Sequence, residues 1–277
     1  MIEWLITPFS YAFMQRGLAA GLIVGILCAV IGCYVVLKGM AFLGDAMAHA
    51  ILPGIAVAYL LQGNLLIGAL VAAILVALGI SFFSREGTIK EDTAIGLFFA
   101  AALSLGVALI SSIRTYAVDL SHILFGNVLG VSVNDLLLTA ALAVFVLLMI
   151  FAFYKYFLVV SFDPILAATL RLPVGILRTF LMVLLALTVV VSTQTVGVGL
   201  VAAMLVTPGA TAYLLTRRLP SMMVLAALFG ALSSIVGLFA SYYLNIASGA
   251  AIVLSATLFF LIAYFFSPQK GLLFRNK

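Results

Sequence analysis

The sequence predicts an all-α, polytopic membrane protein of about nine transmembrane helices, and three observations carry that reading. First, 66% of the 277 residues are hydrophobic and only 8% are charged, far below the roughly 25% charged residues of soluble domains. No water-soluble fold could hide so much apolar surface. Second, several stretches of about 18 or more residues are apolar all round, as helices solvated by lipid are, where a soluble core helix is apolar on one stripe. Third, nearly all Lys and Arg residues collect on one side of the topology these stretches imply. A bilayer offers no partner to backbone N–H and C=O groups, so the spans are expected to be helical.

Apolar runs between polar breaks place the spans at 17–37, 44–62, 65–84, 93–113, 135–158, 178–195, 197–216, 222–244 and 249–267. An eight-span alternative makes the pair meeting at Gly197 one crossing plus a re-entrant helix. With nine spans and the N-terminus outside, Lys38, Arg85, Lys90, Lys155, Arg171, Arg178, Arg217, Arg218, Lys270, Arg275 and Lys277 are cytoplasmic, leaving only Arg16 and Arg114 outside. That is the positive-inside pattern, whereas eight spans would put Arg217 and Arg218 outside. The reading is therefore nine spans with a cytoplasmic C-terminus, one transmembrane domain over 1–277 and a cytoplasmic loop at 160–178. Basic residues flanking a lipid bilayer account for the net charge of +5, so no nucleic-acid partner is implied. Met1 to Arg16 lacks the pattern of a removable signal peptide, so the N-terminus is read as mature.

The first span carries Gly17, Gly21 and Gly25, and the eighth carries Gly230, Ser233 and Gly237. Small residues at such spacing let helices approach closely. Cys28 and Cys33 fit neither a redox pair nor a zinc site and read as packing residues.

The second span opens with LGDAMAHAILPG, Leu43 to Gly54. Asp45 and His49 are four apart and so share one helix face. Ionisable groups inside a span are costly and usually face a cavity or pathway. A carboxylate and an imidazole together suit Mn²⁺, Fe²⁺ or Zn²⁺. The alternative is that Asp45 caps the helix and His49 bonds a carbonyl. One chain supplies only two ligands, whereas a two-fold dimer would bring two Asp and two His to one site.

Pro53 cannot donate to the His49 carbonyl and is expected to bend the helix there. The seventh span has a matching Pro208–Gly209, and PGIAVAYLL from Pro53 resembles PGATAYLL from Pro208. Pro53, Gly54, Pro208 and Gly209 are thus expected as helix breaks along a substrate path, related by an inverted repeat. Chance likeness of two apolar runs is the competing explanation.

Two extramembrane segments remain. The inner loop SFDPILAATLRLPV, Ser161 to Val174, predicts a short helix outside the bilayer. Asp163 is a good N-cap, Pro164 suits the first helical position, and Pro173 would stop the helix about two turns on. A plain inter-span linker is the other reading. The outer segment DLSHILFGN holds His122 near Asp119, a weaker candidate for capturing a cation. The chain contains no phosphate-binding loop and no H-E-x-x-H, so any ATP must be bound by another chain.

These stretches carry a resemblance. GCYVVLKGMAFLGDAMAHAILPG (Gly32 to Gly54), EDTAIG (Glu91 to Gly96), HILFGNVLG (His122 to Gly130), SFDPILAATLRLPV and VGVGLVAAMLVTPGATAYLL (Val196 to Leu215) resemble the metal-type ABC permeases, the membrane subunits of bacterial manganese, zinc and iron importers. The likeness covers nearly the whole chain and leans to the manganese importers of Gram-positive bacteria. It implies a homodimer in the bacterial plasma membrane, a cytoplasmic ABC ATPase dimer, an extracellular metal-binding protein that delivers the ion, and alternating access driven by ATP. It places Asp45 and His49 at the intramembrane metal site. It also implies that Ser161, Phe162, Asp163, Pro164, Ala167, Leu170, Arg171 and Pro173 form the helix that couples to the ATPase. The alternative from another class is a proton-coupled secondary metal transporter using the same two side chains.

Overall fold

The computed structural model describes residues 10–84, 89–112 and 128–267, and among them every regular element is helical. In chain order these are α1 (Ala12–Leu37), α2 (Leu43–Ala50), α3 (Leu52–Leu60), α4 (Leu65–Phe83), α5 (Glu91–Ser111), α6 (Val133–Ala152), α7 (Tyr154–Phe162), α8 (Pro164–Thr169), α9 (Val174–Val196), α10 (Val198–Leu215), α11 (Leu219–Leu244) and α12 (Ser248–Phe266). With α2 and α3 forming one crossing interrupted at Ile51, the described residues supply nine helices long and apolar enough to span a bilayer. Eight of them match spans expected from the sequence to within about five residues, and the fifth ends earlier than expected.

Local chemistry explains where the helices begin. Asn64 heads α4, its Oδ1 accepting the Leu66 amide at 2.9 Å, and Ser132 heads α6, its Oγ accepting the Asp135 amide at 3.1 Å. Gly197 alone separates α9 from α10, at φ 91°. That left-handed backbone suits a residue without Cβ, so the chain turns there without a loop.

α1 lies at the centre, packed against α6, α9, α10 and α11, with Cys28, Cys33 and Ile31 wholly buried. The close approaches are made by small residues. A Cβ on Gly32 would overlap the Leu205 carbonyl of α10, and one on Gly25 would crowd the Gly230 carbonyl of α11. Ser234 then donates to the Gly21 carbonyl at 2.9 Å. Thr139 and Thr195 bond across α6 and α9 at 2.7 Å. Between lipid-embedded helices there is little hydrophobic driving force, so this backbone proximity and these few hydrogen bonds hold the bundle. Leu75, Phe82, Leu137 and Leu254 face outward, as a lipid-facing surface requires.

Two sequence expectations are corrected. The fifth span was expected to run unbroken over 135–158, but α6 ends at Ala152 and α7 restarts after Phe153. Neither proline nor glycine marks that joint. It is set by aromatic packing, with Phe153 edge-on to Phe180 at 5.3 Å and Phe157 edge-on to Tyr34 at 5.9 Å. The expected break at Pro208–Gly209 is absent as well, because α10 continues from Val198 through Leu215 with Pro208 inside it. Pro208 and Gly209 are buried, and Gly209 sits against Gly32 and Val36 of α1. Neighbouring helices sustain a proline-containing span in this way.

Candidate metal site

Asp45 is the third residue of α2 and His49 follows one turn later. The helix N-cap is Phe42 and no side chain caps it, so Asp45 is not the cap that the alternative reading required. A carboxylate in the first turn is nevertheless favoured by the helix dipole. His49 Nδ1 lies 2.9 Å from the Asp45 carbonyl oxygen and 3.6 Å from its Oδ1, so the carbonyl bond that the alternative reading expected of His49 is present. Only a protonated Nδ1 can bond a carbonyl, so the neutral imidazole carries its lone pair on Nε2. A metal-binding histidine is commonly oriented through its other nitrogen in this way.

The imidazole is also held on its side. Phe99 of α5 stands edge-on to His49, with centroids 5.6 Å apart and planes at 89°, and Phe42 in turn packs edge-on against Phe99 at 5.2 Å. The two side chains keep 42% (Asp45) and 25% (His49) of their surface accessible. Among the described residues no cluster of three or more His, Cys, Asp or Glu exists. Asp45 and His49 of one chain are therefore two potential ligands, fewer than the four of a closed transition-metal site.

The interruption between α2 and α3 lies next to Pro53. α2 ends at Ala50, Ile51 joins the two segments, and Pro53 lies in the first turn of α3. The His49 carbonyl, which Pro53 cannot serve, receives the Ile51 amide instead of staying free. Pro53 and Gly54 line an apolar groove of about 460 Å³ between α3, α4 and α5. The two Pro–Gly pairs thus occupy unlike settings, one in the first turn of a helix beside a groove and one buried in a continuous helix.

The segment 161–174 folds into a helix capped at both ends. Asp163 Oδ1 accepts the Leu166 amide at 2.9 Å, so α8 begins where the cap chemistry predicts. Its end differs from expectation. Leu172 donates to the Ala167 carbonyl and Arg171 to that of Ala168, both at 3.0 Å, with Arg171 left-handed at φ 56°. This Schellman turn stops the helix at Thr169, and Pro173 instead serves as the N-cap of α9. Ala167 is buried, while Phe162, Ile165, Leu166 and Leu170 are exposed apolar residues. Ser161 is the penultimate residue of α7, with its Oγ buried. His122 and Asp119 lie outside the described residues.

A third cluster escaped the sequence reading. Arg178, in the second turn of α9, donates from Nε to Glu91 Oε1 at 2.7 Å and from Nη1 to the Ser84 carbonyl at 3.2 Å. Both side chains are 22% exposed. Lys38, just past the end of α1, lies near this pair, and burial holds its ammonium below the ordinary value, with Glu91 opposing the shift. Glu91 opens the quoted EDTAIG stretch, which was the one available signal. Its partner, 87 residues away, is invisible to local pattern.

The ABC 3 transport family matches residues 10–267 of this chain. The manganese transport system membrane protein MntC of Halalkalibacterium halodurans is 50% identical over 96% of this chain and 91% of its own length. A probable iron transport system membrane protein of Haemophilus influenzae is 42% identical over 96% of this chain and 98% of its own. Among solved structures, PsaBC from Streptococcus pneumoniae in complex with Fab superposes with TM-score 0.87 at 41% identity, covering all of both chains. The chain belongs to the ABC 3 transport family and is the membrane-spanning permease subunit of an ABC transporter.

Proposed function

We propose that this permease carries a divalent transition metal inward, manganese first and iron or zinc next, through a path completed by a second copy of itself. The observation that carries the proposal is the pairing of Asp45 and His49 within a span, with Nδ1 committed to a carbonyl and Nε2 left as a ligand. Carboxylate oxygen and imidazole nitrogen match Mn²⁺ and Fe²⁺, the ions named for the manganese and iron transport relatives. Two chains related by a two-fold axis would supply four ligands from the α2 segments.

In this reading the protein lies in the bacterial plasma membrane with its N-terminus outside. An extracellular metal-binding protein delivers the ion. A cytoplasmic ATPase dimer seats α8, whose exposed Ile165, Leu166 and Leu170 form an apolar knob held rigid by its two caps. Pro53 bends the metal-bearing span beside the path. Membership of an ABC family argues against the proton-coupled alternative, since transport then draws on ATP bound by a separate chain.

The test is radiotracer uptake of Mn²⁺, Fe²⁺ and Zn²⁺ into vesicles holding the permease with its ATPase, with and without ATP. ATP-dependent accumulation, greatest for Mn²⁺, is expected. Uptake that ignores ATP and follows a proton gradient would overturn the reading.

A further inference from the structure

We propose that the Arg178–Glu91 ion pair is a positioning link that carries movement of α8 to the metal site. The inference rests on the transport reading above and assigns a role to residues outside both the metal site and α8.

The mechanical path can be followed residue by residue. α8 is joined to α9 by Leu170 to Pro173, a connection without glycine that is pinned by the bonds of Leu172 to Ala167 and of Val174 to Leu172. Displacing α8 therefore displaces the foot of α9, where Arg178 sits one turn up. The guanidinium fork of Arg178 holds two points, the Ser84 carbonyl at the end of α4 and the Glu91 carboxylate at the start of α5. Arginine is suited to this because its planar donors bond two acceptors at once in fixed geometry. The pair is largely shielded from water, so its attraction is less screened than that of a surface pair.

From Glu91 the path climbs α5. Ile95 and Phe99 follow at intervals of four, along one side of the helix, with Ile95 wholly buried. Phe99, about 12 Å above Glu91 by helical rise, touches both His49 and Phe42 of the α2 segment. A shift of Glu91 is thus delivered, through one rigid helix, to the ring that fixes the metal-binding imidazole. Lys38 flanks the same cluster at the end of α1, shortly before α2 begins.

The experiment uses the whole transporter, permease with its ATPase and binding protein, in proteoliposomes. The readout is Mn²⁺ moved per ATP hydrolysed. Arg178→Gln and Glu91→Gln should each lower that ratio about tenfold, within the usual range of coupling effects. ATP hydrolysis, thermal stability and Mn²⁺ affinity of the permease should stay near those of the natural chain. Arg178→Lys, which keeps the charge without the fork, should fall between. The swap of Glu91→Arg with Arg178→Glu should recover most of the loss. An unchanged ratio in the single variants overturns the link, as does a swap no better than either single. A parallel fall in uptake, hydrolysis and thermal stability reduces the pair to a fold element and also overturns it. If the natural chain moves no Mn²⁺ with ATP, the transport reading fails first and the link falls with it.

Discussion

His49 donates its Nδ1–H to the backbone carbonyl of Asp45, 2.9 Å away. The same contact that orients the ring decides which nitrogen can bind a metal. His49→Ala should therefore abolish uptake while leaving assembly with the ATPase intact, because α2 and α8 are separate surfaces. Asp45→Asn, which keeps the backbone carbonyl but removes the charged ligand, should lower metal affinity by about tenfold or more. Equilibrium binding of Mn²⁺ to the purified permease, beside uptake, checks both.

A site shared between two copies has a stoichiometric signature. When natural and His49→Ala chains are mixed equally, random pairing leaves about a quarter of the dimers with both histidines. Uptake should fall to about that fraction. A fall to only one half would mean that each chain carries its own complete site.

The caps of α8 predict a graded series. Asp163→Ala removes the acceptor of the Leu166 amide, a change worth about 0.5–2 kcal/mol of local helix stability. ATP hydrolysis should then run with less metal moved, while Mn²⁺ binding is kept. Asp163→Ser, which still caps, should behave nearly as the natural chain. Simultaneous measurement of hydrolysis and uptake separates the two.

Glycine positions divide into two groups. A Cβ on Gly32 would overlap the Leu205 carbonyl, whereas one on Gly96 meets nothing within 4 Å. Gly32→Ala should destabilise the permease by about 1–3 kcal/mol as an overpacked core does. Gly96→Ala should be neutral or stabilising by up to ~1 kcal/mol through helix propensity. Thermal unfolding in detergent reads the difference.

What the sequence made legible follows from the kind of signal each feature leaves. Lipid-solvated helices declare themselves through continuous apolarity, so the positions of all nine spans could be read directly. The four-residue spacing of Asp45 and His49 and the cap at Asp163 are local and equally visible. Features set by distant contacts were not. The joint at Phe153 depends on Phe180, and the continuity of α10 through Pro208 depends on α1. The Schellman turn that ends α8 is local, but it puts Arg171 rather than glycine in the left-handed position, so it leaves no sequence signal. The Arg178–Glu91 pair joins segments 87 residues apart, and only the fold brings them together.

The most direct test of the central claim is pulsed electron paramagnetic resonance of Mn²⁺ bound to the detergent-solubilised permease. The account predicts nitrogen modulation from the His49 imidazole in the natural chain, and its loss in His49→Ala. Modulation that persists in the variant, or Mn²⁺ bound with no nitrogen ligand in the natural chain, would contradict it.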